Sequence, residues 1–321
     1  MISRTLLAAG LAAVIVSPVW AQEWPAAKPI RVIVPVGTGS GPDIVPRIVL
    51  EQVGKQIGQS FIFENRPGAG TTTGTAAVAR SEPDGYTLLA TSSSIATAPS
   101  LYQNLSYNTT KDLAGIAQFG ALPMNLIVNV DSPYKSVADL VTIAKAGQKP
   151  INFATTGAGS SPHFAAERFR LSAGFQATQV PFKSSAESMT EIVAGRIDYC
   201  FCPVGNSIEL IRGGKLRSLA VSTPKRVQAL ADVPTTLELG FKNSDYDPWV
   251  GLLAPRGTAR PIMERLAREI GTAMKEPGVA ARLAPNGILP TDLTLDAFDA
   301  AIVKEIEINA EIAKAISLRP T

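Results

Sequence analysis

Two stretches set the frame for this chain: "VIVPVGTGSGPDIVPRIV" from Val32 to Val49, and "NFATTGAGSSPHFAAERF" from Asn152 to Phe169. Each reads as a short apolar strand, a glycine-rich turn and the opening of a helix. Strand, turn and helix in that order form the unit of a mostly parallel sheet covered by helices. Such sheets hold their ligands at the carboxyl ends of the strands. Turns of this shape offer backbone N–H groups to an anion. Neither turn has the lysine of a nucleotide phosphate site or the G-x-G-x-x-G spacing of a dinucleotide site.

The same rhythm runs on both sides of each turn. A helix is predicted over 42–57, with Pro42 in its first turn and Pro46 marking a tight start. A strand follows at 61–64, a loop at "NRPGAGTTTG", a helix over 73–80 and a strand at 86–91. The pattern changes near Leu122. A strand at 125–130 leads into a helix opening at Ser136, where Ser136 and Asp139 stand at capping-box spacing. Strand and helix then alternate through 151–154, 161–171, 178–181, 184–194, 198–202 and 206–211, with a strand at 218–221. "DPWVGLLAP" reads as a further strand, and the remainder is helical at 261–275, 278–283 and 295–316. Those last helices have no strands of their own and must pack on a sheet made earlier. The chain is therefore expected to cross between two domains near 122–130 and to return near 249–254. Two crossings make a hinge. The expected division is a leader at 1–21, a first domain at 22–124, a second at 125–248, and a return to the first at 249–321.

The leader rests on "MISRTLLAAGLAAVIVSPVWAQ". Arg4 precedes an apolar run from Leu6 to Val16, and Val19-Trp20-Ala21 precedes Gln22. This is the layout of a cleavable secretory signal. The run is shorter than the ~20 residues of a spanning helix. The net charge of +3 is scattered and no basic tract occurs, which excludes a nucleic-acid surface. The only histidine is His163, too few ligands for structural zinc, so neither metal nor cofactor is expected. Cys200 and Cys202, two apart on a strand, point to one side. Their roughly parallel side chains argue for two reduced, buried thiols.

The candidate binding residues come from the loops. In the first turn Gly37, Gly39 and Gly41 allow close backbone approach, Thr38 and Ser40 add hydroxyls, and Asp43 follows. In the second, Gly157 and Gly159 play the same part beside Thr156 and Ala158. Ser160 or Ser161 can cap the helix and Pro162 sits just inside it. A carboxylate there meets free N–H groups and the positive end of the helix, worth about 0.3–1 kcal/mol when exposed and up to ~2 kcal/mol when partly buried. His163 can serve a ligand or a structural hydrogen bond equally well. Thr72, Ser92, Ser93, Lys183 and Asn206 lie in further loops that can join the cleft. Enzyme readings fare poorly. One histidine must serve any serine or cysteine nucleophile, no G-x-S-x-G elbow occurs, and an apolar strand stabilises a thiolate poorly.

The motifs "KPIRVIVPVGTGSGPDIVPRIV", "FENRPGAGTTTGTAAVARSEPDGYTLLATSSS", "FATTGAGSSPHFAAERF" and "ADVPTTLELGF" resemble the tripartite tricarboxylate transporter substrate-binding proteins (TctC-like), also called the Bug family. The resemblance runs from about Lys28 to about Pro320. It implies a periplasmic, two-domain α/β binding protein of the type II "Venus flytrap" kind, which captures a small organic carboxylate for a membrane transporter. Loops 36–43 and 156–161 would face each other across the cleft and hold one carboxylate through backbone groups and two bridging waters. Mono-, di- and tricarboxylates, aromatic acids and acidic amino acids are the implied ligands. The partner would be a membrane transporter with a small and a large multi-span subunit, and a monomer is expected. The first loop departs from the family's more glycine- and proline-rich form: Asp43 keeps the acidic position, but Pro42 replaces a hydroxyl. No arginine in the predicted loops fixes a second carboxylate, which favours a monocarboxylate or aromatic acid over citrate unless Arg66 or Lys183 reaches the cleft. The alternatives are a secreted hydrolase or lyase on a similar fold, and a ligand-sensing adaptor for a signalling partner.

Overall fold

The computed structural model describes residues 24–316. The expected leader lies outside them. The first sheet takes β1 (Ile30–Val34), β2 (Phe61–Asn65), β3 (Thr87–Ser92) and β4 (Leu113–Ala121). Between these strands lie α1 (Gly41–Ile57), α2 (Thr72–Ala79), α3 (Ser94–Leu101) and α4 (Thr109–Asp112). The chain then passes through Leu122 and Pro123 into a second sheet. That sheet holds β5 (Met124–Asn129), β6 (Asn152–Thr155), β7 (Thr178–Pro181), β8 (Tyr199–Pro203) and β9 (Leu216–Val221). Its helices are α5 (Val137–Ala146), α6 (Ser161–Ala173), α7 (Ser185–Val193) and α8 (Val204–Arg212). After β9 the chain returns as β10 (Trp249–Pro255) to the first sheet and ends in α9 (Arg260–Ala273), α10 (Pro277–Leu283) and α11 (Leu295–Ala315).

The two sheets have one topology. The first runs β2-β1-β3-β10-β4 and the second β7-β6-β8-β5-β9. In each, four of the five strands run in one direction and the remaining strand, next to last in the order, is antiparallel to both its neighbours. The antiparallel strand is the one that enters from the other sheet: β10 in the first and β5 in the second. By this correspondence β6 stands where β1 stands, and β8 where β3 stands. The two glycine turns follow β1 and β6, and so occupy the same place in their sheets.

Both faces of each sheet are covered, as strands without a polar face require. Along β1, Val32 and Val34 pack toward Val45, Val49 and Val53 of α1, while Ile33 faces Phe298 and Ile302 of α11. In the second sheet Phe153, Tyr199 and Phe201 meet Phe164 and Phe169 of α6. Ser136 and Asp139 form the predicted capping box. Pro46 lies inside α1, four residues after Pro42, and the helix continues to a left-handed Gly58. Strand β4, "LAGIAQFGA", escapes a reading by β-propensity because it is rich in glycine and alanine. All nine of its residues are buried. Its Gly115 and Gly251 of the neighbouring β10 leave room for the Phe298 ring, which a Cβ at either position would meet at 2.8 and 2.7 Å.

The expectation of two reduced thiols is corrected. Cys200 and Cys202 form a disulfide on the face of β8 that packs against α7. Their Cα atoms are 5.9 Å apart, inside the span of about 4.4–6.8 Å that a disulfide bridges. Side chains on one face of a strand can therefore be joined without breaking it.

Candidate functional site

The two turns are built alike, residue for residue. Gly37-Thr38-Gly39-Ser40-Gly41-Pro42-Asp43 matches Gly157-Ala158-Gly159-Ser160-Ser161-Pro162-His163. Gly39 and Gly159 both take left-handed backbone, with φ of 86° and 76°. Ser40 and Ser160 both stand as extended residues before a helix with proline in its first turn. Their hydroxyls turn back to the carbonyls of Gly37 and Gly157, at 3.2 and 2.8 Å, and do not cap their helices. The first N–H groups of α1 and α6 therefore receive no side-chain cap. That is the condition for a helix start to face an anion.

The seventh position locks each turn. Asp43 Oδ2 accepts the N–H of Gly39 at 2.9 Å, and His163 Nδ1 accepts the N–H of Gly159 at 3.0 Å. Burial opposes ionisation of Asp43. Hydrogen bonds from Arg47, Asn65 and Gly39 outweigh it and hold the carboxyl below its ordinary value. His163 is 3% exposed. Burial first, and the charge of Arg170 second, push its pKa down to about 4, so it is neutral at pH 7. Since Nδ1 accepts, the ring proton sits on Nε2, which faces Glu167 at 3.8 Å. The first turn thus has an anion behind it and the second a neutral ring.

The other candidate residues fall into two groups. Gly37, Thr38 and Gly39 are exposed, Ser40 and Gly41 half-buried, and Gly41 lies against Leu122. Thr156, Gly157, Ser160 and Ser161 are half-buried, Ala158 is exposed, and Gly159 is covered by Leu101 from the end of α3. Ser92 pairs with Ser94 at 3.0 Å. Thr72 turns its hydroxyl to the Ala69 carbonyl. Lys183 and Asn206 are exposed, at the starts of α7 and α8. Arg66 is engaged by Glu64 at 2.5 Å, Arg47 by Asp43 and Asn65, and Arg170 by Glu167.

Tyr246 was not among the candidates. It is 3% exposed and lies in the segment that returns to β10. Its hydroxyl stands 3.4 Å from the Ser93 Oγ, with the Ser161 hydroxyl beside it. Helix α3 therefore meets the second lobe at both ends: Ser93 at Tyr246 and Leu101 at Gly159. Surface grooves of 590 Å³ beside α1 and 470 Å³ between α6 and α11 lie away from both turns. Among the described residues no cluster of three or more metal-ligating side chains occurs, and no helix is long and apolar enough to cross a membrane.

Comparison with known proteins agrees with this architecture. BugT of Bordetella pertussis is 33% identical over 295 residues, 91% of this chain and 90% of its own. MatC of Rhodopseudomonas palustris, solved with malate bound, superimposes with a TM-score of 0.74 at 26% identity and covers 90% of this chain and 99% of its own. An R. palustris protein solved with adipate gives 0.79 at 26%, covering 93% of this chain and all of its own. The model of the tripartite tricarboxylate transporter family receptor, TctC, matches residues 45–318, beginning just past the first turn. The chain, with its two like lobes and paired glycine turns, belongs to the tripartite tricarboxylate transporter receptor family, whose members are periplasmic solute-binding proteins.

Proposed function

We propose that this protein captures a small organic carboxylate between its two lobes and delivers it to a membrane transporter of the tripartite tricarboxylate type. The observation that carries the reading is the repeated seven-residue turn. Each lobe offers uncapped N–H groups at one helix start, at equivalent strand ends. Malate and adipate in the related structures favour a carboxylate. The lobes at 22–124 with 249–321, and at 125–248, would move as units about the two crossings, with ligand favouring the closed form by binding it more tightly. The mechanism is capture without reaction, by a monomer exported to the periplasm on a leader cleaved after Ala21.

The second turn is the better seat for the carboxylate, because neutral His163 stands behind it where the first turn has ionised Asp43. The arginines nearest the turns are already paired. The distal end of the ligand is therefore uncharged, as in a monocarboxylate or aromatic acid, unless exposed Lys183 supplies a counter-charge. The test is a thermal-shift panel on residues 22–321 with malate, adipate, citrate, benzoate, nicotinate, glutamate and glucose. Ligand at 100 times its Kd adds about 2.7 kcal/mol to the folded state. A rise confined to acids supports the reading, with benzoate or nicotinate above citrate. A rise with glucose alone, or none, overturns it.

A further inference from the structure

The phenol of Tyr246 meets one hydroxyl from each lobe. Ser93 comes from the turn before α3, and Ser161 is the first residue of α6, in the second glycine turn. The ring is held firmly. The Arg168 guanidinium lies 4.6 Å from its centroid and is itself fixed by the Asp245 carbonyl at 2.7 Å and Asn309 Oδ1 at 3.0 Å. Tyr246 is further tied through its backbone to Ser222, the residue after β9: its N–H donates to the Ser222 carbonyl, and its own carbonyl accepts from the Ser222 hydroxyl at 2.6 Å. The backbone bonds to Ser222 carry the ring with the second lobe, while its hydroxyl reaches Ser93 of the first and the Arg168 over its face is tied to the first lobe through Asn309 of α11. Burial, and then Glu305, push the phenol up to about 12, so it remains a neutral donor. At 3.4 Å its contact with Ser93 is longer than the ~2.7–2.8 Å optimum for paired hydroxyls. Closure has room to shorten it.

We propose that Tyr246 is a positioning residue that couples the carboxylate site to lobe closure: its hydroxyl links Ser161, beside the seated anion, to Ser93 of the first lobe. The proposal rests on the carboxylate reading for its ligand, but the hydroxyl bridge exists without one. A group held by both lobes only when they meet favours the closed form by its differential contact. Tyr246→Phe removes the hydroxyl and keeps the ring under Arg168. Ser93→Ala removes the other side of the bridge.

The experiment places spin labels on Lys55→Cys in the first lobe and Lys225→Cys in the second. Inter-lobe distances are recorded for the parent and for the Tyr246→Phe, Ser93→Ala and double variants, and affinities for malate, adipate and benzoate are measured on the same four. One lost hydrogen bond predicts that Tyr246→Phe weakens binding about three- to tenfold and shifts distances toward the open form. Ser93→Ala should do the same, and the double variant no more than either alone. Unchanged distances in Tyr246→Phe, or additive losses in the double variant, overturn the proposal. If none of the acids binds the parent, the carboxylate reading falls, and the distance arm alone still decides the bridge.

Discussion

His163 Nδ1 accepts the backbone N–H of Gly159, four residues earlier, at 3.0 Å. This contact fixes the ring's proton on Nε2 and holds the second turn in shape. It also makes the turn sensitive to acid. The folded pKa near 4 lies below the unfolded value near 6.5, so the unfolded chain binds the extra proton between them. The stabilisation is complete above pH 6.5 and is lost as pH falls toward 4, by roughly 3 kcal/mol. Urea melts at pH 7.5 and 4.5 should show a larger drop for the parent than for His163→Gln, although the variant starts lower. Equal drops would contradict this account of the imidazole.

Gly159 carries two constraints that can be separated. Its φ is 76°, and a Cβ would run into the Leu101 side chain. Gly147, at the end of α5, has φ of 65° with open space around it. Gly147→Ala should therefore report backbone strain alone, about 1 kcal/mol. Gly159→Ala should lose about 1–3 kcal/mol more through overpacking. The excess should vanish when Leu101→Ala is the background. Denaturation of the four variants measures it, and an excess that survives the Leu101 change would place the strain elsewhere.

Glu305 titrates in the opposite sense. Burial raises its pKa to about 7, against the Trp249 N–H at 2.7 Å and the charge of Arg168. Its folded value is above the unfolded one, so the protonated carboxyl stabilises the fold at acid pH. That contribution fades as pH rises from about 4.5 through 7. Glu305→Gln, which still accepts from Trp249, should raise the melting temperature at pH 8 by more than at pH 5. A variant less stable than the parent at pH 8 would show that the charge is needed.

The Cys200–Cys202 disulfide closes a very short loop. Loop entropy of that size stabilises by roughly 1.5 kcal/mol, well below the ~3 kcal/mol of a 15-residue loop. The double change to alanine should therefore give a folded protein with a small loss. Mass spectrometry without reductant should find neither Cys200 nor Cys202 modified by an alkylating agent, even in the unfolded chain. Two alkylated cysteines in the unfolded, unreduced chain would restore the expectation of free thiols.

The alternation of strands and helices and the capping box at Ser136 were legible because each rests on local patterns. The repeated G-x-G-S-x-P register was also present in the sequence, but only the equivalent positions of β1 and β6 give it meaning. Strand β4 was hidden because Gly115 and Gly120 serve the packing of Phe298 and Ile288, which are distant in sequence. Tyr246 was hidden for a similar reason: it stands in an irregular stretch 153 residues from Ser93. The disulfide was not legible in the sequence, because residues two apart on a strand suggest separate sulfurs, while the 5.9 Å Cα separation lets them join.

Amide hydrogen exchange tests the central claim most directly. Residues 22–321 would be followed with and without the acid giving the largest thermal shift. The account predicts that slowed exchange appears together in 37–43 and in 156–163, with smaller changes elsewhere on the two sheets. Protection of only one turn, or of neither while binding persists, would contradict a ligand held between them.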